Sequence, residues 1–324
     1  MLEEQLLTDL QNRMADYISQ FLCDGVLVLP GFFDDGRLRQ VLAATDCVKH
    51  IRPMDVVIDN LENGERTVLG LMTAKAVWHD RMKINDLYLS VPEVREMALD
   101  RTLVRILFGL LGQVPSLCNS LYLEKGSSQD RHVDSLYMTP RSQGHLVAAW
   151  VALEDVHEAA GPLEFFPGSH LIKQKMFNNG TYHANDEEML DWSRYMTKEV
   201  KKAKIKPQRF IARAGDVLVW HAHLLHGGAP IEDYTKTRKS CVFHYFSEAD
   251  ARAAGEWLVP MAGAYWIDRA PQSLPASVIR KLPFSEHNYV RRYKDVAAAV
   301  VAGHFASGFA HYERFGQAEG RLPV

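Results

Sequence analysis

The stretch HLVAAWVALEDVHEAAGPLEFF, residues 145–166, holds two β-prone apolar runs separated by a polar turn and a Gly-Pro pair. It is one of a series. LCNSLYLE (117–124), QRFIAR (208–213), DVLVWHA (216–222) and KSCVFHYF (239–246) have the same texture, with Gly, Pro, Ser and Asp clusters between them. Short strands following one another without intervening helices predict a β sandwich or barrel of the jelly-roll type. Residues 171–207 interrupt the series with a polar, helix-permissive insertion, read as a lid or wall over the mouth of the barrel.

Upstream of the strands the periodicity is helical. Leu2, Leu6, Leu10, Met14, Tyr17, Ile18 and Phe21 recur at three and four, and CDGVLVLPGF then reads as a turn and a short strand. Between Pro92 and Gly112, Val94, Met97, Leu103, Ile106, Leu107, Leu110 and Leu111 predict one or two helices with a buried face. Residues 51–89 are mixed. The expected fold is therefore mainly β with flanking helices, a double-stranded β-helix core over residues 1–282. A small helical hairpin follows over 283–324, in which Tyr289, Tyr293, Val296 and Val300 share one face, Gly303 stops the first helix, Ser307 caps the second and Gly316 ends it.

Composition narrows the function. With 324 residues and 47% hydrophobic content the chain buries a substantial core. The 37 Lys+Arg against 40 Asp+Glu leave a net charge of -3, so no global attraction for nucleic acid or an anionic membrane is expected. The four cysteines, Cys23, Cys47, Cys118 and Cys241, form no CxxC pair, which predicts reduced thiols and a cytoplasmic protein. The acidic start MLEEQLLTDL lacks the basic and apolar blocks of a signal peptide, and no apolar run has transmembrane length.

The chemistry-bearing residues fall inside the β region. In His132-Val133-Asp134 an imidazole and a carboxylate two residues apart on an extended backbone point the same way and can share one metal. A non-haem iron site of two histidines and one carboxylate needs a distant third ligand, and GDVLVWHAHLLHGGAP (215–230) offers His221, His223 and His226. Strand alternation puts His221 and His223 on one face and His226 on the other unless the ladder breaks at Leu224-Leu225, so spacing leaves the choice open.

Several motifs together carry a resemblance. CDGVLVLPGFFDDGRLRQVL, HVD, WVALEDVHEAAGPLEFFPGSH, AGDVLVWHAHLLHGGAP and TRKSCVFHYF occur in the order found in the phytanoyl-CoA dioxygenase family of Fe(II)/2-oxoglutarate oxygenases, and the resemblance spans residues from about 16 to 247. It implies His132, Asp134 and His226 as iron ligands and Arg238 as the clamp on the distal carboxylate of 2-oxoglutarate. A guanidinium fork that stays charged suits that role. It also implies Trp150 beside the cosubstrate and Leu121 as an apolar wall residue, with Tyr137 facing cosubstrate or substrate. Gly228 and Ile231 stand where the family usually has a hydroxyl residue and an asparagine.

The implied activity is hydroxylation of an unactivated C–H bond in a small or carrier-linked substrate, using Fe(II), 2-oxoglutarate and O2 and releasing succinate and CO2. Desaturation and ring formation follow the same hydrogen abstraction. Asp134 argues against halogenation, since related halogenases have alanine or glycine there. Two other readings are a non-catalytic jelly-roll domain with a structural metal and a zinc hydrolase on the same ligands; Arg238 disfavours the second. Trp78, Arg81, Tyr88 and Tyr182 are expected at the entrance, and KEVKKAKIK (198–206) reads as a solvated face or a contact for a CoA phosphate. The tail resembles a short module recurring in bacterial proteins, often near the ends of cell-surface or glycan-related chains, with Lys294 where that pattern has proline.

Overall fold

A computed structural model describes residues 2–324, with side chains from residue 12 onward. Leu2, Leu6 and Leu10 of the amphipathic pattern therefore lie outside the described side chains. The strands are β1 (Val26–Leu29), β2 (Val57–Asn60), β3 (Arg66–Val68), β4 (Met82–Asn85), β5 (Pro115–Leu123), β6 (Leu146–Ala152), β7 (Leu163–Phe165), β8 (Gln208–Phe210), β9 (Val217–His221), β10 (His226–Gly228), β11 (Ser240–Ser247), β12 (Leu258–Met261) and β13 (Ala264–Ile267). They form a ten-stranded sheet, with the order β1-β9-β6-β11-β5-β4-β2-β3 plus β12 and β13, and a three-stranded sheet, β10-β7-β8. Pairing is antiparallel apart from β13, which runs parallel to β5 at Tyr265 and Trp266. Non-consecutive neighbours and two facing sheets make this a jelly roll with helices against one side.

The reading of residues 145–166 holds for a physical reason. All seven residues of β6 are buried, because both faces of that strand are covered. Val147, Ala149 and Val151 pack into the cluster shared with the helices Asp35–Ile51, Pro92–Ala98 and Arg101–Leu111. Ala148, Trp150 and Ala152 face the smaller sheet with Leu163, Phe165, Leu218 and Val242. The helix Leu2–Asp24 lies against β1 and the helix Arg101–Leu111, with Met14 seated over Gly109, where a Cβ would come within 2.5 Å of its sulfur. Gly25 then turns the chain into β1 at φ +72°.

Two expectations change. The insertion at 171–207 contributes the helix Met189–Lys202, whose buried face, Trp192, Met196 and Val200, packs on Val133, Leu136, Phe166 and Leu225. The helix buttresses the back of the HVD segment, and Thr181 and His183 are the residues of the insertion that line the cavity. In the tail the single helical face from Tyr289 to Val300 is broken: one helix covers Glu286–Arg292 and the next Lys294–Val301, with Tyr293 extended between them. Gly303 follows the second at φ +77°, and the Ser307 hydroxyl accepts from the Ala310 N–H. Tyr289, Val296 and Tyr312 form a cluster of their own, while Leu322 and Val324 pack on Val57, Val68 and Leu282 of the main body.

Candidate active site

His132 and His226 face each other across a two-bond backbone bridge, His132 N to His226 O at 2.9 Å and His226 N to His132 O at 3.0 Å. The alternation problem in residues 221–226 is resolved by a change of sheet. β9 ends at His221, the chain turns through Ala222–Leu225, and His226 opens β10 opposite Phe165 of the smaller sheet. The Ser169 hydroxyl and the Phe166 N–H hold that turn through the Leu225 backbone. His221 and His223 are left outside, edge to face with each other at 5.1 Å, and His221 also meets His170 at 5.3 Å.

Asp134 begins a short 3-10 turn after Val133 and completes a cluster whose ligand atoms all lie within 4.8 Å of one another. Its Oδ1 is 3.5 Å from His226 Nε2 and 3.8 Å from His132 Nε2. The tautomers suit a metal. His132 Nδ1 donates to the Asp130 carbonyl at 2.7 Å and His226 Nδ1 to the Leu224 carbonyl at 2.9 Å, so each Nε2 keeps a lone pair directed inward. Burial, then the neighbouring His226, pushes the His132 pKa down to about 4. Burial opposes ionisation of Asp134, but His226, His244 and His132 outweigh it and hold the carboxyl below the usual range. The cluster thus turns two imidazole Nε2 atoms and one carboxylate towards one point, a facial set for a divalent transition metal.

The same cavity, about 1090 Å³, is lined by Arg238, Trp150, Leu121 and Tyr137 as well as the three cluster residues. The seven residues expected to hold metal and cosubstrate therefore converge on one space. Arg238 is 3% exposed; Nη1 donates to the Gly161 carbonyl at 2.7 Å and Nε has no partner. Burial lowers its pKa to about 10, and no carboxylate among the described residues pairs with it. Its guanidinium carbon lies 5.8 Å from the centre of the Trp150 ring. An isolated buried cation is costly unless an anion arrives to meet it.

The entrance residues expected from sequence do not line the cavity. Trp78 stacks under the Lys49 ammonium and His50, Arg81 pairs with Glu62, Tyr88 is fully buried, and Tyr182 lies outside the cavity wall. The same segments supply Asp59, Arg66, Lys83 and Asn85, and Thr181 and His183. The reason is the pleat: Asp59, Lys83 and Arg66 share the inward face of β2, β4 and β3, and strand parity was unreadable where the elements themselves were unassigned. The basic run 198–206 is also away from the cavity, with Val200 and Ile205 packed under the helix.

Three further residues complete the site. Trp220 Nε1 donates to Asp134 Oδ2 at 2.6 Å, and His244 Nε2 lies 3.5 Å from the same oxygen. Lys83 forms no ion pair among the described residues; burial lowers its pKa against the pull of Asp59. The sequence signal for His244 and Trp220 was present only as alternation, Trp220 and His244 lying on the inward faces of β9 and β11.

A family model described as phytanoyl-CoA dioxygenase matches residues 21–233. The chain belongs to the phytanoyl-CoA dioxygenase family. That match ends before Arg238 and His244, which lie in the same cavity as the matched residues. A phytanoyl-CoA dioxygenase domain-containing protein 1 homolog of Caenorhabditis briggsae is 31% identical over 88 residues, 26% of this chain. The aligned part spans only 31% of that relative's length. Among solved structures, the non-heme alpha ketoglutarate dependent epimerase SnoN from nogalamycin biosynthesis superposes with a TM-score of 0.53 at 20% identity, covering 78% of this chain and 87% of its own. EctD from S. alaskensis with 2-oxoglutarate and 5-hydroxyectoine gives 0.51 at 17% identity, covering 73% and 77%. These likenesses show that the chain shares the jelly-roll fold of those proteins.

Proposed function

We propose that this chain is an Fe(II)- and 2-oxoglutarate-dependent dioxygenase that hydroxylates an unactivated C–H bond of a small or carrier-linked substrate. His132, Asp134 and His226 hold the metal and Arg238 takes the distal carboxylate of 2-oxoglutarate. The observation that carries the reading is the buried, unpaired Arg238 guanidinium in the same cavity as the His-Asp-His cluster. Neither a structural metal nor a hydrolytic zinc gives that cation an anion.

Iron supplies the redox chemistry that couples decarboxylation of 2-oxoglutarate, with release of succinate and CO2, to insertion of oxygen into a C–H bond. The chain supplies order. Among the described residues Arg238 and Lys83 form no ion pair, which leaves two cations for a doubly charged cosubstrate. Trp150, Leu121 and Val242 line the space with apolar surface that excludes water and strengthens those charge contacts. Tyr137, half exposed and 5.7 Å from the His132 ring centre, stands at the open side where substrate enters. Gln129 Nε2 lies 3.4 Å from His132 Nε2 in the same cavity.

The same reading divides the chain into an oxygenase body over 1–282 and a helical module over 283–324, on the strength of the module's own aromatic cluster. A cytoplasmic setting fits the four free thiols; no described helix is long and apolar enough to cross a membrane. Calorimetric titration of 2-oxoglutarate into the anaerobic Fe(II)-loaded protein tests the proposal. One equivalent should bind to wild type, with at least 100-fold weaker binding to Arg238→Gln, a loss of about 3 kcal/mol. Equal binding to both proteins would remove Arg238 from the site.

A further inference from the structure

Arg238 by itself does not satisfy the carboxylate assigned to it. Its Nη1 is committed to the Gly161 carbonyl at 2.7 Å, and its Nε has no partner. A buried carboxylate accepts about four hydrogen bonds and one guanidinium edge supplies two, so the same wall has to offer further donors. The loop 124–129, which leaves β5, runs along that wall. The Arg238 backbone N–H donates to the Glu124 carbonyl at 2.8 Å, and a Cβ on Gly126 would stand 3.1 Å from the Gly161 oxygen that receives Arg238. The loop then folds down onto β10. The Gly228 N–H donates to the Gln129 carbonyl at 2.9 Å, a Cβ on Gly227 would lie 2.8 Å from that same oxygen, and Ser128 is held at φ +50°, a left-handed conformation that serine adopts only where its surroundings fix it.

This close approach puts a hydroxyl where β10 has no side chain. A Cβ on Gly228 would lie 2.8 Å from Ser127 Oγ, and Ser127, Gly228 and Arg238 all line the same cavity. The Gln129 N–H donates to Ser127 Oγ at 3.2 Å, so that oxygen already serves as an acceptor within the loop. Its own proton has no acceptor among the described residues, and a hydroxyl has one proton to give. We infer that Ser127 is a second binding residue for the distal carboxylate of 2-oxoglutarate, its O–H donating beside the Arg238 guanidinium. Glycines at 126, 227 and 228 are what let the loop come close enough, since a side chain at any of them would meet backbone on the other side. The inference rests on the proposed role of Arg238 and adds to it a neutral donor, which fixes the direction of the carboxylate without changing the charge of the cavity.

The test titrates the anaerobic Fe(II)-loaded full-length protein with 2-oxoglutarate and, separately, with 2-oxopentanoate, which carries a methyl group in place of the distal carboxylate. Ser127→Ala should bind 2-oxoglutarate about 10- to 100-fold more weakly than wild type, the effect of losing a hydrogen bond to a charged group, while its affinity for 2-oxopentanoate stays within about threefold. The preference for the diacid over the monoacid is therefore the quantity to read. An unchanged preference overturns the inference, whether both affinities hold or both fall together, since the hydroxyl would then serve the loop and not the carboxylate. Arg238→Gln separates the two levels. If it binds 2-oxoglutarate as tightly as wild type, the cosubstrate reading fails with everything built on it. If it loses 2-oxoglutarate while Ser127→Ala keeps it, only the role of Ser127 is lost.

Discussion

Trp220 Nε1 donates a 2.6 Å hydrogen bond to Asp134 Oδ2, joining strand β9 to the one carboxylate of the His-Asp-His cluster. Both groups are buried, at 2% and 4% exposure, so the bond is made to a charged acceptor away from water. Trp220→Phe keeps most of the apolar volume and removes the donor. The expected outcome is a loss of about 1.5 to 3 kcal/mol, divided between folding stability and metal affinity. Urea unfolding with and without metal measures the division; stability and affinity both unchanged would show the bond to be idle.

Arg238 predicts opposite effects on stability and binding. Its guanidinium is buried without an anion, so Arg238→Met should leave the protein without 2-oxoglutarate as stable as wild type, or more stable by about 1 to 3 kcal/mol. The same variant should lose 2-oxoglutarate. Chemical denaturation in the absence of cosubstrate checks the first part, and destabilisation by several kcal/mol would mean that the Gly161 contact, not a ligand, is what Arg238 serves.

Gly228 stands where the family usually has a hydroxyl residue, and restoring that hydroxyl should fail. A Cβ at 228 would lie 2.8 Å from Ser127 Oγ and 2.8 Å from the Ser128 N, so the loop 127–129 occupies the space of a side chain. Gly228→Ser should cost about 1 to 3 kcal/mol of stability and weaken 2-oxoglutarate binding. Tighter binding in this variant would show that the loop yields.

Stability should fall on acidification through His221 and His223. Burial first, then the neighbouring imidazoles, pushes their pKa values down to about 3 and about 4, from an ordinary 6.5. Below that ordinary value the unfolded chain takes up protons that the folded protein refuses. The contribution is therefore complete above about pH 6.5 and is lost as pH falls towards 4. By pH 5 the loss is on the order of 1 to 2 kcal/mol per histidine. His221→Asn, which keeps an acceptor for the His223 N–H, should flatten the decline in urea midpoint between pH 7 and pH 5; an unchanged slope would place the acid sensitivity elsewhere.

What the sequence disclosed follows from where information is local. β5, β6, β9 and β11 are buried on both faces, so their apolar character was visible without any partner, and the order of five motifs pointed to His132, Asp134, His226 and Arg238, which share one cavity. The place of the insertion was only half legible, because its helix has a strong apolar face, Trp192, Met196 and Val200, that says it packs but not against what, while Thr181 and His183 reach the cavity. The polar wall at Asp59, Arg66 and Lys83 comes from strands of three and four residues, too short for a readable alternation. His244 and Asn119 looked like ordinary strand residues; only the register of β5 with β11 sets one opposite the other.

The central claim is that one cavity joins iron to 2-oxoglutarate. Its most direct test is succinate formation from labelled 2-oxoglutarate by the Fe(II)-loaded protein in air, with His226→Ala measured alongside. The account predicts iron-dependent succinate from wild type, slow without a substrate and faster with one, and at least a 100-fold loss in His226→Ala, about 3 kcal/mol in barrier. Absence of succinate from wild type across a metabolite pool, or undiminished succinate from His226→Ala, would contradict it.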